Sequence, residues 1–263
     1  MKKIFALLLS AALLVTLLAA CGGGNTTDTD TDAQEPATDA STTQVEEQEP
    51  DTGDASKDDP RNQDEIGEKE LLVVSFGTSY NDSRRETIGA IEKAMQTAFP
   101  DYSVRRAFTS QIIIDHVKDR DGVTIDNVEQ ALERAVNNGV KTLVVQPTHL
   151  MNGLEYEELT DELAKYSDSF EKIAIGDPLL TSDADFEAVM TAITDATKDA
   201  ADGKTAICFM GHGTTADSNS VYSKMQTLLT DKGFNDYYVG TVEATPSLDD
   251  VLAAVQKGSY EKV

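Results

Sequence analysis

The chain has three histidines, His116, His149 and His212, and two of them stand just after apolar runs that read as strands. His212 has Gly211 before it and Gly213 after it, so no neighbouring side chain covers the imidazole and the backbone can bend to expose it. Glu243 follows the next apolar run. Adjacent strands there would bring an accessible imidazole and a carboxylate together at their ends. Such a pair is a partial site for a divalent metal such as cobalt, zinc or iron. It is also a proton acceptor, because imidazole titrates near neutrality. A lone Gly-His-Gly is more often plain loop chemistry; its place at a strand end marks this one out.

Two further strand ends carry polar loops. Phe76, Gly77, Thr78 and Ser79 follow the first run, where the glycine permits a tight turn and the hydroxyls offer hydrogen bonds. His149 follows the third, within Gln146-Pro147-Thr148-His149-Leu150-Met151-Asn152-Gly153. His116 sits inside Ile112-Ile113-Ile114-Asp115-His116-Val117 and reads as an exposed or half-buried helix residue.

The elements that must position these residues alternate. Strands are expected at 71–76, 104–108, 142–147, 173–176, 205–210 and 237–242. Helices are expected at 83–98, 110–118, 128–136, 153–166, 185–198, 217–229 and 248–256. The helix at 83–98 would bury Ile88, Ile91, Met95 and Phe99 on one side. Residues 260–263 read as the start of another strand. Strict alternation predicts an α/β fold of parallel sheets and crossover helices. A break near Pro178 divides it into two lobes, 69–180 and a partial second lobe at 181–263. Ligands in such folds sit at the carboxyl ends of the strands.

The N-terminal end has other work. Lys2 and Lys3 precede an apolar run from Ile4 to Ala20, too short to favour a spanning helix. Leu18-Ala19-Ala20-Cys21 resembles a bacterial lipobox, so residues 1–21 read as a lipoprotein signal and Cys21 as the lipidated residue. A lipid anchor holds a protein to a membrane without spanning it, which places this one outside the cytoplasm. Residues 22–68 are rich in Thr, Asp, Glu and Gln and read as an acidic, disordered linker. With 47 acidic residues against 22 basic ones, the net charge of -25 excludes an electrostatic nucleic-acid binder. Cys208 is the only other cysteine; it precludes a disulfide framework and reads as a small buried hydrophobe.

Several of these blocks, in this order, resemble the anaerobic sirohydrochlorin cobaltochelatase (CbiK) family. They are Leu72-Val73-Val74-Ser75-Phe76-Gly77-Thr78-Ser79-Tyr80, Arg106-Ala107-Phe108-Thr109-Ser110, the His149 loop, Gly176-Asp177-Pro178-Leu179-Leu180, Phe209-Met210-Gly211-His212-Gly213 and Gly240-Thr241-Val242-Glu243-Ala244-Thr245-Pro246. The resemblance covers 70–263 and implies a chelatase-like fold of two similar lobes around a tetrapyrrole cleft. It implies Co2+ as the substrate metal, with Fe2+ as an alternative, and no organic cofactor. It carries His212 over as metal ligand and proton acceptor and Glu243 as metal ligand. Phe76, Gly77, Thr78, Ser79, His149, Gly211 and Gly213 would line the cleft, with Phe76 or Met210 against the ring face. Arg84 and Arg85 are candidates for the carboxylates of the substrate. The family's second His follows the next parallel strand, which is expected to begin at 260–263, so the second lobe is expected to be incomplete and the ligand set short by one.

Other readings stay open at this stage. One is a non-catalytic surface lipoprotein that binds metal, tetrapyrrole or heme, the last at a subunit interface through His149 or His116. Another is a ferrochelatase-type activity, and a third is a decayed paralogue. A homo-oligomer is compatible with any of these.

Overall fold

A computed structural model describes residues 51–263. The signal segment 1–21 with Cys21, and residues 22–50 of the expected linker, lie outside the described residues.

The first strand, β1 (Lys69–Ser75), is buried at every residue after the first. A strand of this kind needs cover on both faces. Pleat alternation sends Leu71 and Val73 into a cluster with Val104, Met95 and Tyr102, on the side of α2 (Ile88–Ala98). Leu72 and Val74 point the other way, among Ala131, Leu132, Leu143 and Leu159. Those residues belong to α4 (Val128–Asn137), α5 (Leu154–Lys165) and the neighbouring strand β3 (Thr142–Pro147).

With β2 (Ser103–Phe108) and β4 (Lys172–Ile175) the sheet runs β2-β1-β3-β4, and every pairing is parallel. Parallel neighbours need a crossover, supplied here by α1 (Asn81–Glu86) with α2, by α3 (Gln111–Asp121) with α4, and by α5. The chain adds β2 on one side of β1 and β3 on the other. That reversal is the topological switch point at which such folds bind ligands, and residues 76–80 and 148–153 follow the carboxyl ends of β1 and β3 there.

A second sheet pairs β5 (Ile207–Gly211) with β6 (Tyr237–Thr241), also parallel. Around it lie α6 (Asp183–Thr197), α7 (Ser220–Asp231) and α8 (Leu248–Lys257). Its core holds Phe186, Met190, Tyr222, Met225, Leu229 and Val239. Leu150 and Met151, from the loop after β3, pack against that core, so the two lobes share apolar contacts. On the far side of β5, Thr205 bridges Lys262 in parallel. This contact lies just before β5, which itself pairs with β6 alone among the described strands. The strand expected at 260–263 takes the form of this single bridge. The outer edge of β6 is capped by a side chain: Gln226 accepts the Val239 N–H at 2.8 Å and donates to Tyr237 O at 3.1 Å.

Two expectations are corrected. The helix expected over 83–98 breaks at Thr87, whose backbone at φ -107° and ψ -74° turns away from the helical path and separates α1 from α2. The helix after the break turns Ile88 and Glu92 inward, while Ile91 and Phe99 are exposed. Residues 51–68, expected to belong to a disordered linker, instead form a strap along the open edge of β2. Arg61 O accepts the Arg106 N–H at 3.2 Å, Ser103 Oγ donates to Ile66 O at 2.6 Å, and Ile66 packs on the core of the first lobe. The strap's low apolar content hid this, because ion pairs and backbone bonds, rather than apolar burial, hold it.

Glu70 is fully buried at the start of β1, and neither carboxylate oxygen has a hydrogen-bond partner. Burial pushes its pKa up to about 7, opposed by the Arg105 charge. The folded state therefore holds a proton that the unfolded chain releases near 4.5. Stability from this group is present below that value and is lost as pH rises toward 7. We expect Glu70→Gln to remove the slope and to raise stability at pH 8 by up to about 3 kcal/mol. Denaturant unfolding at pH 5 and pH 8 checks it; equal effects at both values would refute the assignment.

Candidate active site

In a parallel pair, register decides which residues leave the sheet side by side. Gly211 pairs with Thr241, and the ladder continues past both strands. The Val242 N–H donates to Gly211 O at 3.0 Å and the Glu243 N–H to His212 O at 2.9 Å. His212 and Glu243 therefore leave together, and Nε2 of the first lies 3.3 Å from Oε2 of the second. Their side chains are 76% and 66% exposed, so water weakens their mutual attraction and leaves both open to a ligand.

The local sequence explains how these loops hold their shape. A Cβ on Gly211 would run into the Tyr222 ring, which packs beneath the strand end. Gly213 has φ +91°, and a Cβ there would crowd Ala244 and Thr241. Buried Thr241 donates its hydroxyl to Pro246 O at 3.0 Å and accepts the Ala244 N–H at 3.1 Å. Asn219 joins the two loops: its Oδ1 accepts the Thr214 N–H at 3.1 Å and its Nδ2 donates to Thr245 O at 2.7 Å. Sequence reading missed Asn219. It lies in a stretch expected to be helical, yet it sits at the N-cap of α7 and sends its side chain across the loops instead of onto the helix.

The first lobe contributes the other loops. Gly77 has φ +103° and lets the chain pass tightly over the Phe108 ring. Thr148 Oγ1 donates to buried Ser75 Oγ at 2.9 Å, tying the loop after β3 to the end of β1. Thr78 O accepts from Arg84 Nη1 at 3.2 Å, and Ser79 O from Arg120 Nη2 at 2.6 Å. Arg84 is thus turned inward and fully buried, with Nε on Asp58 at 2.6 Å, and it cannot meet a substrate carboxylate. Arg85 pairs with Asp82 at 2.8 Å and Glu86 at 2.9 Å. Both corrections reflect nearby carboxylates that take up the guanidiniums.

His149 has both ring nitrogens buried and without a hydrogen-bond partner. Burial lowers its pKa, against the pull of Glu155. At neutral pH the ring is neutral, with one nitrogen a donor and the other an acceptor. No hydrogen bond links His149, or residues 76–79, to the His212–Glu243 pair; the lobes meet there through Leu150 and Met151. His116 is exposed on α3, with Nε2 3.5 Å from Arg120. Among the described residues, no group of three or more His, Cys, Asp or Glu could hold a metal, so the pair offers two donors. Phe76, Tyr80, Ile112, Leu154, Leu179 and Val242 are large, apolar and exposed. All of them lie on strand-end loops or on the first turns that follow, the end that the pair occupies.

Residues 69–263 match the family model described as Cobalt chelatase (CbiK). The chain belongs to that family. It is 34% identical over 188 residues to the sirohydrochlorin cobaltochelatase of Salmonella typhimurium, covering 72% of this chain and 70% of that one. It is 28% identical over 197 residues to the sirohydrochlorin cobaltochelatase CbiKC of Nitratidesulfovibrio vulgaris, covering 74% and 69%. The parallel α/β architecture with crossover helices is the one expected of a CbiK chain. The strap lies outside the matched range.

Asn219 supports the pair without touching it. We expect Asn219→Ala to weaken Co2+ binding by roughly 10-fold, as lost support behind metal ligands commonly does. Titration with Co2+ followed in the visible spectrum checks this; an unchanged affinity would remove Asn219 from the site.

Proposed function

We propose that this CbiK-family chain is a sirohydrochlorin cobaltochelatase, inserting Co2+ into the tetrapyrrole of the anaerobic cobalamin route. The observation that carries the reading is the His212–Glu243 pair, 3.3 Å apart at the ends of adjacent parallel strands. Both relatives carry cobaltochelatase in their names, and neither name carries iron.

Insertion requires a held metal, a held macrocycle and the loss of two pyrrole protons. His212 Nε2 and Glu243 Oε2 take the cobalt, leaving its other positions to water and then to the pyrrole nitrogens. As the cobalt passes to the pyrrole nitrogens, the freed His212 Nε2 accepts one of the two protons, with Glu243 supporting its basicity, and solvent water takes the other. The macrocycle lies against Phe76, Gly77, Thr78 and Ser79, with the Gly211 and Gly213 backbone beside His212 facing it from the other lobe. The exposed Phe76 and Met210 suit the ring faces. Neutral His149 is a second polar group at the same end of the first lobe. Arg84 and Arg85 are engaged elsewhere, so backbone N–H groups at the strand-end loops are left to meet the substrate carboxylates.

A two-ligand site also fits a second reading, a surface protein that binds cobalt or tetrapyrrole without turnover. Excess sirohydrochlorin separates them. The chelatase converts all of it, and the binder stops at one equivalent. His212→Ala should cut the insertion rate by about 100-fold or more while leaving the far-UV circular dichroism unchanged. Wild-type rates in that variant would end the assignment.

For the N-terminal end we propose a lipid anchor at Cys21 that places the protein outside the cytoplasmic membrane. The support is the apolar run closed by Leu18-Ala19-Ala20-Cys21. No helix among the described residues is long and apolar enough to cross a membrane. In cells fed a radiolabelled fatty acid, the wild-type chain should carry label and sediment with membranes, and Cys21→Ala should do neither. Label retained in Cys21→Ala would rule the anchor out.

A further inference from the structure

The family match begins at residue 69, yet specific contacts begin at Thr52. Thr52 O accepts the Asp82 N–H at 2.9 Å, and the Asn81 amide donates to Thr52 Oγ1 at 3.3 Å and to Gly53 O at 3.1 Å. Gly53 has φ +89°, and a Cβ there would run into the Asp82 carboxylate, so the strap lies directly on the start of α1. After a 3-10 turn at Ala55–Lys57, the chain delivers Asp58 into the interior with its side chain 3% exposed. Its carboxylate receives Arg84 Nε at 2.6 Å and Arg106 Nη1 and Nη2 at 2.7 and 3.1 Å. Arg106 also grips Glu92 at 2.6 and 2.8 Å, and Arg61 Nε reaches Glu92 at 3.1 Å.

The charges decide what the strap does. Without Asp58 and Arg61, Glu92 stays on Arg106, and the buried Arg84 has no carboxylate in hydrogen-bond contact. Arg84 would keep only neutral hydrogen-bond partners, the Asn81 side-chain oxygen at 2.5 Å and Thr78 O at 3.2 Å, with the charge of Asp121, itself held by Arg120, acting on it without direct contact. A buried guanidinium without a carboxylate is strongly unfavourable. It must leave the interior or admit water, and either course releases Thr78 O. Thr78 belongs to the loop that forms one wall of the proposed cleft.

We infer that Asp58 is a positioning residue for the loop after β1: acting through Arg84, it fixes Thr78 and so sets how tightly the tetrapyrrole is held. The part about the tetrapyrrole rests on the proposed function; the part about the loop does not.

The test uses the full chain with Asp58→Asn, and Asp64→Asn as a control. Asp64 lies on the same strap but is largely exposed, paired with Arg134 at 3.0 Å. In Asp58→Asn, amide exchange in peptides covering 75–87 and 109–112 should rise by roughly tenfold or more, with the peptides of β5 and β6 unchanged. The KM for sirohydrochlorin should rise while the KM for Co2+ stays as in wild type. Unchanged exchange at 75–87, or equal loosening of both sheets, would overturn the inference. Should the single variant fail to fold, Asp58→Asn combined with Arg84→Gln removes both buried charges. It should recover the thermal midpoint and still leave the 75–87 peptide fast-exchanging; wild-type protection in this double variant would overturn the inference. A wild-type chain that neither binds nor converts sirohydrochlorin would end the proposed function, and the exchange result alone would then decide the role of Asp58.

Discussion

The parallel register of β5 and β6 is the constraint on which the site depends. Gly211 opposite Thr241 brings His212 and Glu243 off the sheet together. A slip of one residue would send the two side chains to opposite faces. Much of the second lobe can be read as protection of that register. Tyr222 occupies the space that a Cβ on Gly211 would need. Gln226 satisfies the outer edge of β6 where another strand could otherwise pair out of place. Asn219 joins the loops above. None of these residues touches a reacting atom, and each narrows where the imidazole and the carboxylate can go.

The first lobe solves a similar problem with charge. Its loop after β1 is held from below through backbone carbonyls, at Thr78 by Arg84 and at Ser79 by Arg120. Guanidinium donors suit this task because their geometry is rigid and their charge does not titrate. Burying Arg84 and Arg106 creates a need for carboxylates, met by Glu92 within the lobe and by Asp58 from the strap. Such a network adds little net stability over an apolar core, yet it is unforgiving of a missing member. It specifies a geometry more than it strengthens a fold. That distinction explains how a segment poor in apolar residues can be held firmly against the lobe.

The alternation of strands and helices was legible because β1 and β3 carry apolar runs that end in turn residues, the pattern a doubly covered strand must have. The pair at His212 and Glu243 was legible from glycine flanking and strand-end placement, and the resemblance to the CbiK family gave it a chemistry. Three features could not be read. The break at Thr87 is a backbone deviation at a single residue, φ -107° and ψ -74°, and composition does not record it. Arg84 looked available because its partner, Asp58, lies in a stretch whose composition suggests disorder. Asn219 is helical as expected, closing a 3-10 turn at Asp217–Asn219, but its crosslink to the loops leaves no mark in the sequence. At Arg84 and Asn219 a polar side chain had several possible partners, and tertiary contact chose among them. Apolar periodicity has fewer alternatives and so survives in one dimension.

A metal that is to be handed on sets different demands from one that is to stay. Structural metal sites close the coordination shell, while reactive sites leave positions open. An imidazole and a carboxylate that are both largely exposed are at the open extreme. In the proposed role they would share a divalent ion with water, which pyrrole nitrogens could replace one position at a time. A buried, saturated cage would bind cobalt better and release it worse. The firmness lies elsewhere, in the glycine-permitted turns, the Asn219 crosslink and the charge network beneath Thr78. Rigid support under loosely held reactants is the arrangement that lets two partners meet in a fixed geometry without either being trapped.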